Sequence, residues 1–145
     1  MKKYLLIFTA FLIILSGCKK SSTQPSIANG TYSGVIKVSS SVYKMPTTIP
    51  ISISFNNEKF AVIPDPTRKP ATGSGTYSSK DGTANFTDSN VYTADFDWNL
   101  ILNGEYTIEI SGNNLMLTKQ FKPTQPVNPA VSYAVITYQY ILTKN

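Results

Sequence analysis

The 145-residue chain contains no histidine and a single cysteine. Without histidine it lacks the usual general base near neutral pH, the usual haem ligand and the commonest transition-metal ligand. With one cysteine it cannot form a disulfide within itself. Charged residues make up only 14% of the chain, and there is one tryptophan. No apolar run reaches the roughly 20 residues that a membrane-spanning helix needs. Phosphate-cradling glycine loops, dinucleotide fingerprints, nucleophile-elbow serines and calcium-loop spacings are all missing. There is no tandem repeat and no helical period of useful length. These absences point away from an enzyme and lead to the expectation of no catalytic residue, no cofactor and no metal.

What is present begins with "MKKYLLIFTAFLIILSGCKK". Lys2 and Lys3 are a basic start, Tyr4 to Leu15 an apolar run of about a dozen residues, and Leu15-Ser16-Gly17 a cleavage region. This is an export signal over residues 1–17. It ends in "LSGC", which resembles the bacterial lipobox. The resemblance implies diacylglyceryl transfer to Cys18, cleavage before it and acylation of the new terminus. Each buried CH₂ of such chains contributes about 0.8 kcal/mol, so two or three chains anchor firmly. Residues 18–28, "CKKSSTQPSIA", are polar and unpatterned and read as a lipidated flexible tether. The remainder, 29–145, is one domain.

The net charge of +5 suggests a nucleic-acid binder only at first sight. Lys2 and Lys3 leave with the signal, and Lys19 and Lys20 sit on the tether. Nine basic residues then face eight acidic ones. No basic face is left to bind phosphates, so no nucleic-acid partner is expected. Lys19 follows the cysteine where an aspartate resembles an inner-membrane retention signal, which points to the outer membrane. "KKSSTQ" carries none of the acidic residues of surface-export tags, which favours the periplasmic face over the cell surface.

The body is rich in Tyr, Thr, Ile and Val with recurrent turn residues, so the class is all-β. Turn positions can be tested by parity, because residues paired across a two-residue hairpin share a face. Asn56-Asn57 passes, pairing Ile53 with Phe60 and Ile51 with Val62. Asp81-Gly82 passes, pairing Tyr77 with Phe86. Gly112-Asn113 passes, pairing Ile110 with Leu115 and Ile108 with Leu117. Asn103-Gly104 has the strongest hairpin dipeptide, yet it fails, because Trp98 would meet Glu109 and Ile108 would meet Asn99. Read as one strand, Trp98, Leu100, Leu102, Gly104, Tyr106, Ile108 and Ile110 fall on one face, with Phe121 opposite Gly104. A three-residue loop is the alternative.

The strands expected are 30–39, 48–55, 58–64, 74–80, 83–88, 98–110, 114–121 and 132–143. Eight antiparallel strands in an up-and-down meander can close into a barrel, whose interior is either filled or holds one small ligand. The inward set is Tyr32, Ile36, Ile51, Ile53, Phe60, Val62, Tyr77, Phe86, Tyr106, Phe121, Ile136, Tyr138 and Tyr140. Tight turns lie at one end, with the tether. The connections 40–47, 65–73, 89–97 and 122–131 lie at the other, facing away from the membrane.

"NGTYSG", "GSGTYS" and "ADFDWNLILNGEYTIEISGNNLMLTK" resemble segments of the small lipocalin-like, calycin-type lipoproteins of Bacteroidota-type bacteria. The resemblance covers most of 29–143 and implies a lipocalin-like barrel with no defined activity. Lipocalins proper begin with a Gly-x-Trp strand, where this chain has Gly30-Thr31-Tyr32, so their ligands do not carry over.

Function on such a scaffold is expected at the loop end. Trp98 there either stacks on a ligand or plugs the barrel. Tyr43, Met45 and Tyr92 either face a ligand or partner or fold over the core. Arg68, in the proline-stiffened "PDPTRKPAT", either contacts an anion or is solvated. Asp95 and Asp97 read as solvated acids, with Asp88 a third oxygen donor only on a weak calcium reading. The expected function is a non-enzymatic binding module. A small apolar or glycan ligand, or a partner protein, would engage a mouth lined by Trp98, Tyr106 and Tyr138. The alternative is a structural or inhibitory lipoprotein with a packed barrel, acting through its loops on another envelope protein.

Overall fold

The computed structural model describes residues 26–42, 45–63, 73–92, 98–121 and 134–145. The strands are β1 (Gly30–Ser40), β2 (Thr47–Asn56), β3 (Lys59–Val62), β4 (Ser74–Lys80), β5 (Thr83–Asp88), β6 (Gly104–Ser111), β7 (Asn114–Phe121) and β8 (Ile136–Lys144). Each pairs antiparallel with the next, and β8 pairs with β1, so the sheet closes into an up-and-down barrel. Closure leaves no unpaired sheet edge. The eight-stranded all-β barrel expected from the turn pattern is the observed fold, and it is consistent with a lipocalin-like architecture.

Alternation builds each strand. Ile51, Ile53 and Phe55 of β2, Ala84 and Phe86 of β5, Leu115 and Leu117 of β7, and Tyr138, Tyr140 and Leu142 of β8 are buried, while the residues between them are more exposed. Asp81-Gly82 and Gly112-Asn113 make the expected turns, with Tyr77 opposite Phe86 and Ile110 opposite Leu115. The first hairpin differs. Its turn is Asn57-Glu58, both residues at positive φ (47° and 62°), as a type I′ turn requires. Phe55 therefore faces Phe60, and Ile53 faces Val62. A slip of two residues preserves every face, so parity cannot detect it. The observed register buries both Phe55 and Phe60. It also lets the Asn57 N–H and side chain bond the side chain of Asn29 at 2.9 Å each.

The expected strand 98–110 is shorter. Trp98–Leu100 form a single 3-10 turn, and β6 begins at Gly104. Asn103-Gly104 is neither a hairpin nor mid-strand: Gly104, at φ +82°, bends the chain into the sheet opposite Phe86 of β5. The β6–β7 ladder runs from Ser111↔Asn114 to Thr107↔Thr118, so Phe121 does not cover Gly104. It pairs with Ile136 instead and is partly exposed, while Lys119 approaches Gly104. Ile136 and Val62 are also only partly buried; the other expected inward residues are buried.

Interior aromatic rings form one contact network. Phe86 meets Phe60 at 5.4 Å, Tyr77 at 5.5 Å, Tyr106 at 5.6 Å and Phe55 at 6.4 Å, measured between centroids. Tyr32 extends it from Phe55, and Tyr140 from Tyr106. Buried tyrosine hydroxyls need partners, and here they find them in chain segments at each end. At the tight-turn end, Tyr32 donates to the Ala28 carbonyl at 3.0 Å and Tyr77 to that of Ile27 at 3.4 Å. Ile27 itself is in the core, so residues 27 and 28 belong to the packed body rather than to the tether. At the other end, Tyr106 donates to the Ile101 carbonyl at 3.3 Å and Tyr140 to that of Leu100 at 3.1 Å. Leu102 is fully buried there. Among the described residues the barrel is filled around these rings, while at the loop end the inward positions Val38, Thr47, Ile136 and Tyr138 line an apolar depression.

The Tyr106 phenol, 1% exposed, is pushed by burial to about 12, above the ordinary value of 10.0. A raised folded value favours the proton-bound folded state. The stability it contributes is complete below pH 10 and lost as pH rises through about 12. The urea midpoint should therefore fall less steeply between about pH 10 and 12 in Tyr106→Phe than in the parent, as equilibrium unfolding would measure.

Candidate functional site

All three two-residue turns lie at one end, with the start of β1. The strand ends that the longer connections join lie at the other. Two depressions open at that loop end among the described residues. One, of about 280 Å³, is lined by Asp88, Asn90, Tyr92, Trp98, Asn99, Asn103, Lys119 and Phe121, with Ile101 behind. The other, of about 590 Å³, is more apolar and is lined by Val38, Met45, Thr47, Ala134, Ile136 and Tyr138 among others. Phe121 of the first and Tyr138 of the second meet edge to face at 5.6 Å, so the two depressions adjoin.

Inward positions at the upper ends of two strands supply the polar groups of the smaller depression. Asp88 continues the face that buries Ala84 and Phe86, and Lys119 continues that of Leu115 and Leu117. The Asp88 Oδ1 accepts from the Asn90 N–H at 2.7 Å and from its side-chain amide at 3.0 Å. That amide also donates to the Ser74 carbonyl at 3.1 Å. The Asp88 Oδ2 is buried and has no hydrogen bond of good geometry. It faces Gly73 and the Tyr92 hydroxyl. Burial, reinforced by this carboxylate, pushes the Tyr92 phenol up to about 12. Lys119 Nζ donates to the Asn103 carbonyl at 2.7 Å and lies 5.3 Å from the Tyr106 ring centre. Burial lowers its pKa from the usual lysine value. Asn103 Oδ1 accepts from the Asp88 N–H at 3.2 Å, so this asparagine clips the segment before β6 to the end of β5.

Of the residues singled out by sequence, the structure brings Trp98 and Tyr92 together, edge to face at 5.9 Å. Trp98 is 54% exposed, so it does not plug the barrel; Leu102 does. Tyr138 lines the adjoining apolar depression. Tyr106 lies in the core beneath Lys119 and does not line either depression. Tyr43, Arg68, Asp95, Asp97 and Cys18 lie outside the described residues. Sequence reasoning missed Lys119 and gave Asp88 only a minor place. Extending the strand alternation by one inward position in β5 and β7 finds both. Comparison of the chain with family models, with curated proteins and with solved structures finds no match in any of the three.

Proposed function

We propose that this chain is a lipoprotein of the lipocalin-like kind, anchored in the outer membrane through Cys18, that binds without catalysis at the loop end of its barrel. The supporting observation is the contrast between a filled barrel centre and the two depressions at its loop end, one of them beside an exposed Trp98. A ligand held at the centre of the barrel would have to displace Phe86, Tyr106 and Tyr140, at a cost of several kcal/mol each. Binding on the rim displaces none of them. The small apolar or glycan ligand expected at the mouth is thus confined to the loop end, where the two depressions open. The filled interior equally favours the second reading, in which the same rim engages another envelope protein. A tether leaving the opposite end would hold the rim towards the periplasm.

A photo-crosslinking residue at position 98, and another at position 81 on the tight-turn end, would test this in cells making the full chain. Adducts or ligand-protected labelling at 98 but not at 81 are expected. Labelling confined to 81 would overturn the assignment of ends. A protein that stays membrane-associated in Cys18→Ser would overturn the anchor.

A further inference from the structure

We infer that the depression between Tyr92, Trp98, Asp88 and Lys119 is a saccharide site, with a pyranose ring lying on Trp98 and its hydroxyls bonded to Asp88, Asn90 and Lys119. This rests on the loop-end reading and names its ligand class.

The charges narrow the choice first. Among the described residues, one carboxylate and one ammonium line a space of about 280 Å³. An anion placed there is drawn to Lys119 and repelled by Asp88, and a cation meets the reverse. A wholly apolar ligand would cover both charges without satisfying either, which is costly. A neutral ligand carrying groups that both donate and accept meets no such penalty, and hydroxyls do both. A hydroxyl that takes the place of the Tyr92 hydroxyl can donate to the Asp88 carboxylate, whose Oδ2 is otherwise covered by Tyr92 and Gly73. Another can accept from Lys119, which has three N–H donors and spends one on the Asn103 carbonyl. Trp98 adds the second requirement: a broad apolar surface, half exposed, next to these polar groups. A pyranose has a face of C–H groups and a rim of hydroxyls, and so meets both demands at once.

The site is also held in shape before any ligand arrives. Asn90 fixes Asp88, Ser74 fixes Asn90, Asn103 fixes Lys119, and Tyr92 braces Trp98 edge to face. Groups already ordered cost little further entropy on binding.

The test uses the full chain, purified in a polyoxyethylene ether so that no sugar-headed detergent competes. Maltotetraose, chitotetraose and mannotetraose are titrated by calorimetry and by the fluorescence of Trp98, the only tryptophan, with inorganic phosphate and laurate as controls. At least one tetrasaccharide should saturate, and neither control should. Asp88→Asn should weaken that binding about tenfold, the loss of one charge-assisted hydrogen bond. Trp98→Ala should abolish it at an exposed position that leaves the unfolding midpoint in place. The inference is overturned if no tetrasaccharide binds, or if bound sugar is indifferent to both substitutions. If position 98 crosslinks to an envelope protein while no sugar binds, the saccharide assignment falls and the loop-end reading stands. If neither occurs, both fall.

Discussion

Phe86→Ala is expected to destabilise the barrel by about 4 kcal/mol, the range for emptying a buried aromatic site. Phe86 is fully buried and contacts four other rings, those of Phe55, Phe60, Tyr77 and Tyr106. Each such contact adds about 0.5–1.5 kcal/mol beyond the area buried. The neighbouring side chains sit on rigid, closed strands and can collapse only partly into the space. A single domain has about 5–15 kcal/mol of stability in all, so the loss is a large fraction. Urea unfolding should show a much lower midpoint with an unchanged slope. In a hollow, ligand-holding barrel the same substitution would enlarge an existing void and cost about 1 kcal/mol or less, as surface-like changes do. That small value would argue against the filled interior.

Gly34→Ala should cost about 3 kcal/mol or more, although it adds a single methyl group. The reason is space, not conformation. Gly34 lies opposite Leu142 where β1 and β8 close the barrel. A Cβ there would overlap the Ile141 carbonyl oxygen and press on Leu142 Cα. These are backbone atoms, so no side-chain rotation relieves the clash. The closing seam must open, and the barrel depends on that seam. Gly75, whose Cβ would overlap the Thr87 carbonyl oxygen, should behave alike across β4 and β5. Thermal unfolding of Gly34→Ala and Gly75→Ala measures both. A change of less than about 1 kcal/mol would contradict the close approach of these strands.

The fold was legible because strand faces follow from alternation, and alternation survives small errors. The turn at Asn57-Glu58 illustrates the point: two registers two residues apart put the same side chains inside. Choosing between them needs the Phe55–Phe60 contact and the Asn29 bracket, which are tertiary facts. Asn103-Gly104 fails as a two-residue hairpin because that register mixes apolar with polar and charged residues on each face, and the structure has no hairpin there. Its actual role, a bend with Asn103 clipping β5 and Lys119 in place, depends on groups distant in sequence. The tyrosine hydroxyls were not legible at all. Tyr32, Tyr77, Tyr106 and Tyr140 read as inward apolar residues, yet their hydroxyls bond backbone carbonyls at the two ends.

The candidate site was partly legible. Trp98 and Tyr92 stood out as aromatics near the loop end, and they do meet there. Composition could not say whether the one tryptophan was inside or outside. That depended on the 3-10 turn at Trp98–Leu100, which sends Leu102 rather than Trp98 into the core. Asp88 and Lys119 were hidden by a different effect. An inward charge looks like the end of a strand's apolar face, when here it is that face rising from core to rim.

The central claim is that the barrel is full at its centre and that binding belongs to its rim. Xenon enters dry apolar cavities and reports them directly. Crystals of the protein pressurised with xenon should show no atom bound among Phe55, Phe86, Tyr106 and Tyr140. Ordered xenon between those rings would contradict the filled interior and return the binding site to the inside of the barrel.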